Sequence, residues 1–141
     1  MINSEIPLDR LVAALKAGPP LRFALLFGSV AAGTHRDDSD VDIAIFPDDP
    51  SLSLGDELSL QTELARICQR PVDLVRIDRA PTIVRWQTVR HGKPLFEAVP
   101  FAIARFAADS VADYLDFAPA FERSTEAFRR ALLRETRRSA P

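Results

Sequence analysis

Apolar and polar positions along the chain switch between a helical and a strand-like period. From Ser4 to Lys16, Leu8, Leu11, Val12 and Leu15 fall on one helical face, so a short helix is expected, with Pro7 in a first turn that tolerates it. Gly18-Pro19-Pro20 stops that helix. Arg22 to Phe27 (RFALLF) is a compact apolar run and reads as a strand buried on both faces. Gly28-Ser29 ends it, small residues reach Gly33, and a polar loop follows. Ser39-Asp40-Val41-Asp42 then opens a second apolar run that closes at Phe46. The expected order is strand, tight turn with a helical turn, loop, strand.

The rest of the pattern extends this unit. Pro47 to Ser53 is rich in turn formers, and a helix is expected from Leu54 to about Gln69. Leu54, Leu58, Ala65 and Cys68 form its stripe, widened by Leu60, Leu64 and Ile67. Pro71 introduces a strand over Val72 to Ile77, with Asp73 near its start. Strand, helix, strand implies a crossover that makes the last two strands parallel neighbours. Asp78 stands where it can cap a helix running from near Pro81 to His91, with Gly92 as its C′ residue. Lys93 to Glu97 reads as a short strand. From Pro100 onward the spacing is helical: Ile103, Phe106, Ala107, Val111, Tyr114 and Leu115 share a face, and Ala118, Phe121, Thr125, Phe128 and Leu132 continue it. Pro119 predicts a kink or a break into two helices. The simplest account is one α/β domain, with a core over residues 1–98 and a helical segment over 99–141 that packs on the core or on a partner.

Bulk properties narrow the classes. A chain of 141 residues suits one domain with a sizeable core. A net charge of -2 argues against a protein that coats nucleic acid, and no direct nucleic-acid binding is expected. Cys68 is the single cysteine, which excludes an internal disulfide framework and suits a reducing compartment. The N-terminus does not resemble a signal peptide, and no apolar run approaches the roughly 20 residues needed to span a bilayer. A soluble, cytoplasmic protein is expected.

The chemistry concentrates in the first strand–turn–strand unit. Asp40 and Asp42, on alternate residues of a strand, point to one face. Magnesium takes one or two protein carboxylates together with phosphate oxygens. Asp73, on the neighbouring strand, would complete a two-metal arrangement. Three clustered carboxylates repel, so at least one is expected to have a raised pKa. Glycine at 28 allows close backbone approach, successive amides in a turn or helix start form an anion nest, and the Ser29 hydroxyl adds a hydrogen bond to a terminal phosphate. Each feature has a bland alternative: Gly-Ser is usually only a turn, Asp-x-Asp a solvated strand end, Asp73 a strand-start residue. Their order, with strands on both sides, is what makes them a candidate site.

Gly28-Ser29, Gly33, Ser39-Asp40-x-Asp42 and a later strand aspartate resemble the nucleotidyltransferase superfamily that includes DNA polymerase β and kanamycin nucleotidyltransferase. The short chain and the Gly-Ser-x-Ala-x-Gly form of residues 28–33 are similar to the minimal nucleotidyltransferases of bacteria and archaea. The resemblance implies a small mixed sheet flanked by helices, and transfer of a nucleoside monophosphate from a nucleoside triphosphate with Mg2+. Gly28 and Ser29 would bind phosphates. Asp40, Asp42 and Asp73 would ligate metal, and Asp73 would help deprotonate the acceptor. Many such relatives carry arginine before the second glycine, where this chain has Ala32, so weaker triphosphate neutralisation is expected unless Arg36 takes that part.

Many minimal nucleotidyltransferases pair with a HEPN-type ribonuclease toxin, and the resemblance implies an antitoxin that adenylylates a tyrosine of the partner with ATP. Two alternatives stand beside it: neutralisation by binding alone, and transfer to a small molecule such as an aminoglycoside. A homo- or hetero-oligomer fits either antitoxin reading. Elsewhere the residues read more plainly. His35 is expected to be a solvated loop residue, His91 to sit in a helix's last turn, and Cys68, Trp86 and Tyr114 to be packing residues. Residues 123–138 hold six arginines against two glutamates, equally a solvated face or a docking surface.

Overall fold

The computed structural model describes residues 6–33 and 39–139, the side chains of Phe121 and residues 135–139 excepted. Four strands, β1 (Leu21–Phe27), β2 (Val41–Pro47), β3 (Val72–Arg76) and β4 (Lys93–Glu97), form one sheet in the order β3-β2-β1-β4. β1 is antiparallel to both β2 and β4, and β2 is parallel to β3. The sheet is therefore mixed, and the crossover helix leaves its two strands as parallel neighbours as expected.

Each face carries its own core. Val41, Ile43, Ile45 and Val72 point to one side, where they pack with α1 (Leu8–Ala17) and α3 (Leu54–Cys68). Phe23, Leu25 and Ala44 point to the other, with Phe106 of α5 (Ala102–Ser139) and Val84 and Val89 of α4 (Thr82–His91). Phe23, Phe46 and Phe106 form an aromatic cluster with centroids 5.3 to 6.1 Å apart. The strand periodicity of two thus sorts β2 cleanly between two helical layers. Among the described residues no helix is long and apolar enough to cross a membrane.

Several boundaries differ from the sequence reading. α1 begins at Leu8, not Ser4, and Pro7 is the residue before the helix rather than part of its first turn. A residue preceding proline is disfavoured in helical geometry, so Ile6 stays outside. On α3 the buried face is Leu60, Leu64, Ile67 and Cys68, while Leu54 and Leu58 are exposed. Its cap is Ser53, whose Oγ accepts from the Asp56 amide at 3.1 Å. Asp78 does not cap α4. It lies in a single 3-10 turn, Ile77–Arg79, and Pro81 precedes α4 without a side-chain cap. Gly92 follows α4 in extended geometry (φ -72°), not the left-handed C′ conformation. There the absence of a side chain matters for space, because a Cβ would press on the Thr88 carbonyl that accepts the Gly92 amide. α5 is one helix running through Pro119.

Arg76 explains what Asp78 does instead. Its guanidinium donates to both Asp78 oxygens (3.0 and 2.8 Å) and to the carbonyls of Leu52 and Pro50 (3.3 and 3.1 Å). Glu57 lies 3.7 Å from it on α3. The side chains of Arg76, Asp78 and Glu57 are 6%, 10% and 15% exposed. This buried fork ties the end of β3 to the loop that starts α3.

Candidate active site

β1 ends where β2 begins: Phe27 pairs with Asp42 across the antiparallel ladder. The chain then turns directly into α2 (Gly28–Ala32), whose first two residues are Gly28 and Ser29. Gly28 has φ +77°, a conformation glycine adopts without cost. A Cβ on Gly28 would collide with the Asp42 carboxylate. The turn backbone and this aspartate are therefore in direct contact.

β3 brings the second carboxylate. Asp42 and Asp73 are register partners on the parallel β2–β3 pair. Their flanking residues, Val41 and Ile43 on β2 and Val72 and Leu74 on β3, all pack on the α1–α3 side. Both aspartates consequently lie on the opposite face, the one α4 and α5 cover further along. Asp40 stands exposed, one residue before β2. Its charge reaches Asp42: burial first, then the charges of Asp73 and Asp40, push the Asp42 carboxyl above its ordinary value. One raised carboxylate in the set was the sequence expectation, and it falls on the innermost.

Among the described residues no three carboxylate, imidazole or thiolate groups close into a ready metal cage. The set is instead an open row of hard oxygen donors beside a glycine turn. Such a row suits magnesium, which keeps several waters and takes only one or two protein carboxylates. Asp42 and Asp73 are the two that could hold such an ion, with the exposed Asp40 just before β2. A cavity of about 780 Å³ lies elsewhere, on the α1–α3 side, lined by Ile6, Leu8, Leu26, Val30 and Lys93. Neither Asp40, Asp42 nor Asp73 lines it, and the candidate site is better located by those carboxylates than by cavity size.

Among the remaining expectations, Cys68 is buried in the core, and burial pushes its thiol up, away from a reactive thiolate. Trp86 and Tyr114 pack as expected, stacked 4.1 Å apart with nearly parallel planes, and Arg90 lies over the indole. His35 and Arg36 lie outside the described residues. The sequence order already places the glycine turn beside the aspartates; that Asp42 is the one against Gly28 depends on the β1–β2 register and has no local signal.

A family model described as Polymerase beta, Nucleotidyltransferase matches residues 9–100. The chain belongs to the polymerase beta nucleotidyltransferase family. Within it, the chain is similar to the protein adenylyltransferase MntA of Shewanella oneidensis, 36% identical over 78 residues, which are 55% of each protein. That alignment spans about half the length of the curated relative. The fold likeness runs further. One chain of a crystal structure of a toxin–antitoxin with AMP-PNP superposes with a TM-score of 0.71 and 27% identity, over 92% of this chain and 98% of that one. A structure of tri-AMPylated Shewanella oneidensis HEPN toxin in complex with MNT antitoxin gives 0.65 and 25%, over 94% and 98%.

Proposed function

We propose that this chain is a magnesium-dependent nucleotidyltransferase acting as an antitoxin, which transfers AMP from ATP to a tyrosine of a HEPN-type ribonuclease toxin in the cytoplasm. The observation that carries this reading is the placement of Asp42 and Asp73 in register on one sheet face, with Gly28 against Asp42. The likeness to MntA and to a chain from a complex containing an AMPylated HEPN toxin supports the donor and the partner.

In this reading the start of α2 receives the triphosphate, with the glycine backbone close enough for amide contacts and the Ser29 hydroxyl available to a terminal phosphate oxygen. Asp40, Asp42 and Asp73 would hold magnesium, which would supply screening of the phosphate charge. Asp73, on the edge strand and exposed, takes the proton from the tyrosine hydroxyl. The phenolic oxygen bonds to the α-phosphorus, the α–β bridge breaks, and pyrophosphate leaves. Residues 1–98 supply this core, and the segment over 99–141 is anchored on it through Phe106. AMP beside a ribonuclease centre would block RNA by bulk and by charge.

Labelled ATP, magnesium and the purified HEPN partner test the proposal. Label should appear on the partner, and Asp40→Asn, Asp42→Asn and Asp73→Asn should each lower transfer by at least about a hundredfold. Toxin neutralisation that survives all three substitutions, with no label transferred, would replace catalysis by binding alone.

A further inference from the structure

The α4–α5 face of the sheet carries a cavity of about 360 Å³ at the end opposite the aspartates. Arg22 lines it, roughly 17 Å along β1 from Phe27, the register partner of Asp42. The β1–β2 register slips between Leu21 and Phe23, and the Arg22 guanidinium lies 5.6 Å over the Phe46 ring. The amides of Ala98 and Val99 both donate to the Arg22 carbonyl, which ties the segment leading into α5 to the start of β1. Phe23, Phe46 and Phe106, the aromatic cluster of this face, also line the cavity and give it an apolar floor.

Three guanidinium groups from three elements line the same space: Arg22, Arg85 of α4 and Arg105 of α5. Much of their donor capacity is unused. Arg85 gives Nη2 to Asp113 and Thr82, at 2.9 and 3.4 Å, while its Nε is buried with no hydrogen-bond partner. Arg105 makes no side-chain hydrogen bond or ion pair among the described residues. Arg22 meets Asp48 through Nε at 3.4 Å, with both side chains largely in solvent, a weak tie. Two carboxylates share the lining. Asp78 already has both oxygens on Arg76, which leaves Asp109 as the unpaired one. The first amides of α5 are not the receptor, because Glu97 accepts from the Ile103 amide at 2.9 Å.

We propose that this cavity binds a small aromatic anion, a flat ring carrying a phosphate or carboxylate group. The ring packs on the phenylalanine floor, with Phe101, 78% exposed at the rim, beside it. The anionic group takes the unused donors of Arg105, Arg85 and Arg22, whose planar forks match its oxygens. An apolar floor with a few convergent polar groups is the usual make-up of a small-ligand site. Because the walls come from β1, α4 and α5, an occupant joins the start of α5 to α4 and the sheet.

Calorimetric titration of the full chain in EDTA tests this with phenyl phosphate, benzoate and inorganic phosphate; the chelator keeps divalent ions from drawing phosphate to the aspartates. Phenyl phosphate or benzoate should bind with a Kd of about 1 mM or tighter and raise the melting temperature, the tighter of the two naming the anionic group. Inorganic phosphate should bind at least about tenfold more weakly, for want of the ring. Arg105→Gln should weaken binding at least about tenfold, and since Arg105 is exposed its loss leaves the fold in place. Asp109→Asn should tighten binding, a change of sign that damage to the fold does not produce. Asp42→Asn, which the transfer reading disables, should bind as wild type does, so either reading can fail without the other. No binding by either ring-bearing anion, inorganic phosphate binding as tightly as they do, or an affinity indifferent to either Arg105→Gln or Asp109→Asn overturns the inference. So does hydrogen-exchange protection of residues 99–109 by the HEPN partner and by neither anion, because that makes the cavity part of a protein interface.

Discussion

At Gly28 a side chain is opposed in two separate ways. The φ of +77° costs an L-residue about 1–2 kcal/mol, and the added carbon would enter the space of the Asp42 carboxylate. Gly33 offers a control, since its φ is +75° but nothing described lies within 4 Å of an added Cβ. Gly28→Ala is expected to lower both the melting temperature and label transfer, whereas Gly33→Ala should lower the melting temperature by about as much as strain alone allows and leave transfer closer to wild type. Asp42 carries the complementary prediction. Its carboxyl is raised above 3.8 by burial, then by Asp73 and Asp40, so the folded chain holds that proton more tightly than the unfolded one. Without divalent ions, stability should fall as pH rises from about that unfolded value through the raised one, the cost being fully present above it. Melting curves of Asp42→Asn should lie above wild type at neutral pH and converge with it in acid. Magnesium should then stabilise wild type more than the variant. The juxtaposition of Asp42 and Asp73 could be read from the sequence because motif order and the strand–helix–strand unit are local. The Gly28–Asp42 contact could not, since it requires knowing which residue of β2 faces Phe27.

Among the elements, the 3-10 turn after β3 shows how a local rule gives way to a stronger partner. An aspartate shortly before a helix invites reading as a cap, a contribution of about 1 kcal/mol. Asp78 instead receives two charge-assisted bonds from a guanidinium two residues earlier, which is the stronger interaction. The fork joins β3, the loop over Pro50 to Leu52 and Glu57 of α3, so its loss reaches three elements. Arg76→Ala leaves the largely buried Asp78 without its cation, while Glu57 keeps Arg79 at 3.7 Å, and should cost about 3 kcal/mol in urea unfolding, with Arg76→Lys intermediate because lysine lacks the planar fork. α3 illustrates a different limit. Its leucines outnumber the buried positions, and composition alone does not say that Leu54 and Leu58 are exposed while Leu60 and Leu64 are buried. Of the two outcomes expected at Pro119, a kink or a break, the break does not occur. Pro119 is exposed, so the carbonyl left without its helical donor is on the side where water can serve it, and the helix runs on.

Across the whole molecule, the strand–helix–strand order made the parallel β2–β3 pair legible, because a right-handed crossover allows little else. The antiparallel pairing of β1 with β2 and the addition of β4 at the far edge depend on contacts between distant segments, and nothing local in the sequence encodes them. β2 unites the two kinds of information. Val41 and Ile43 are fully buried on one side, and Asp42 stands on the other. Pairing shifted by one residue would turn the aspartates under α1 and α3 and expose the core valine and isoleucine. The hydrophobic core therefore acts as a proofreader for the candidate carboxylate row: a chain that passes the test of burial has already aligned Asp42 with Asp73. Folded but misaligned forms are too costly to accumulate. On refolding from urea, recovered transfer activity should track recovered structure in one step, with no lag in which the protein is native by spectroscopy and still inert.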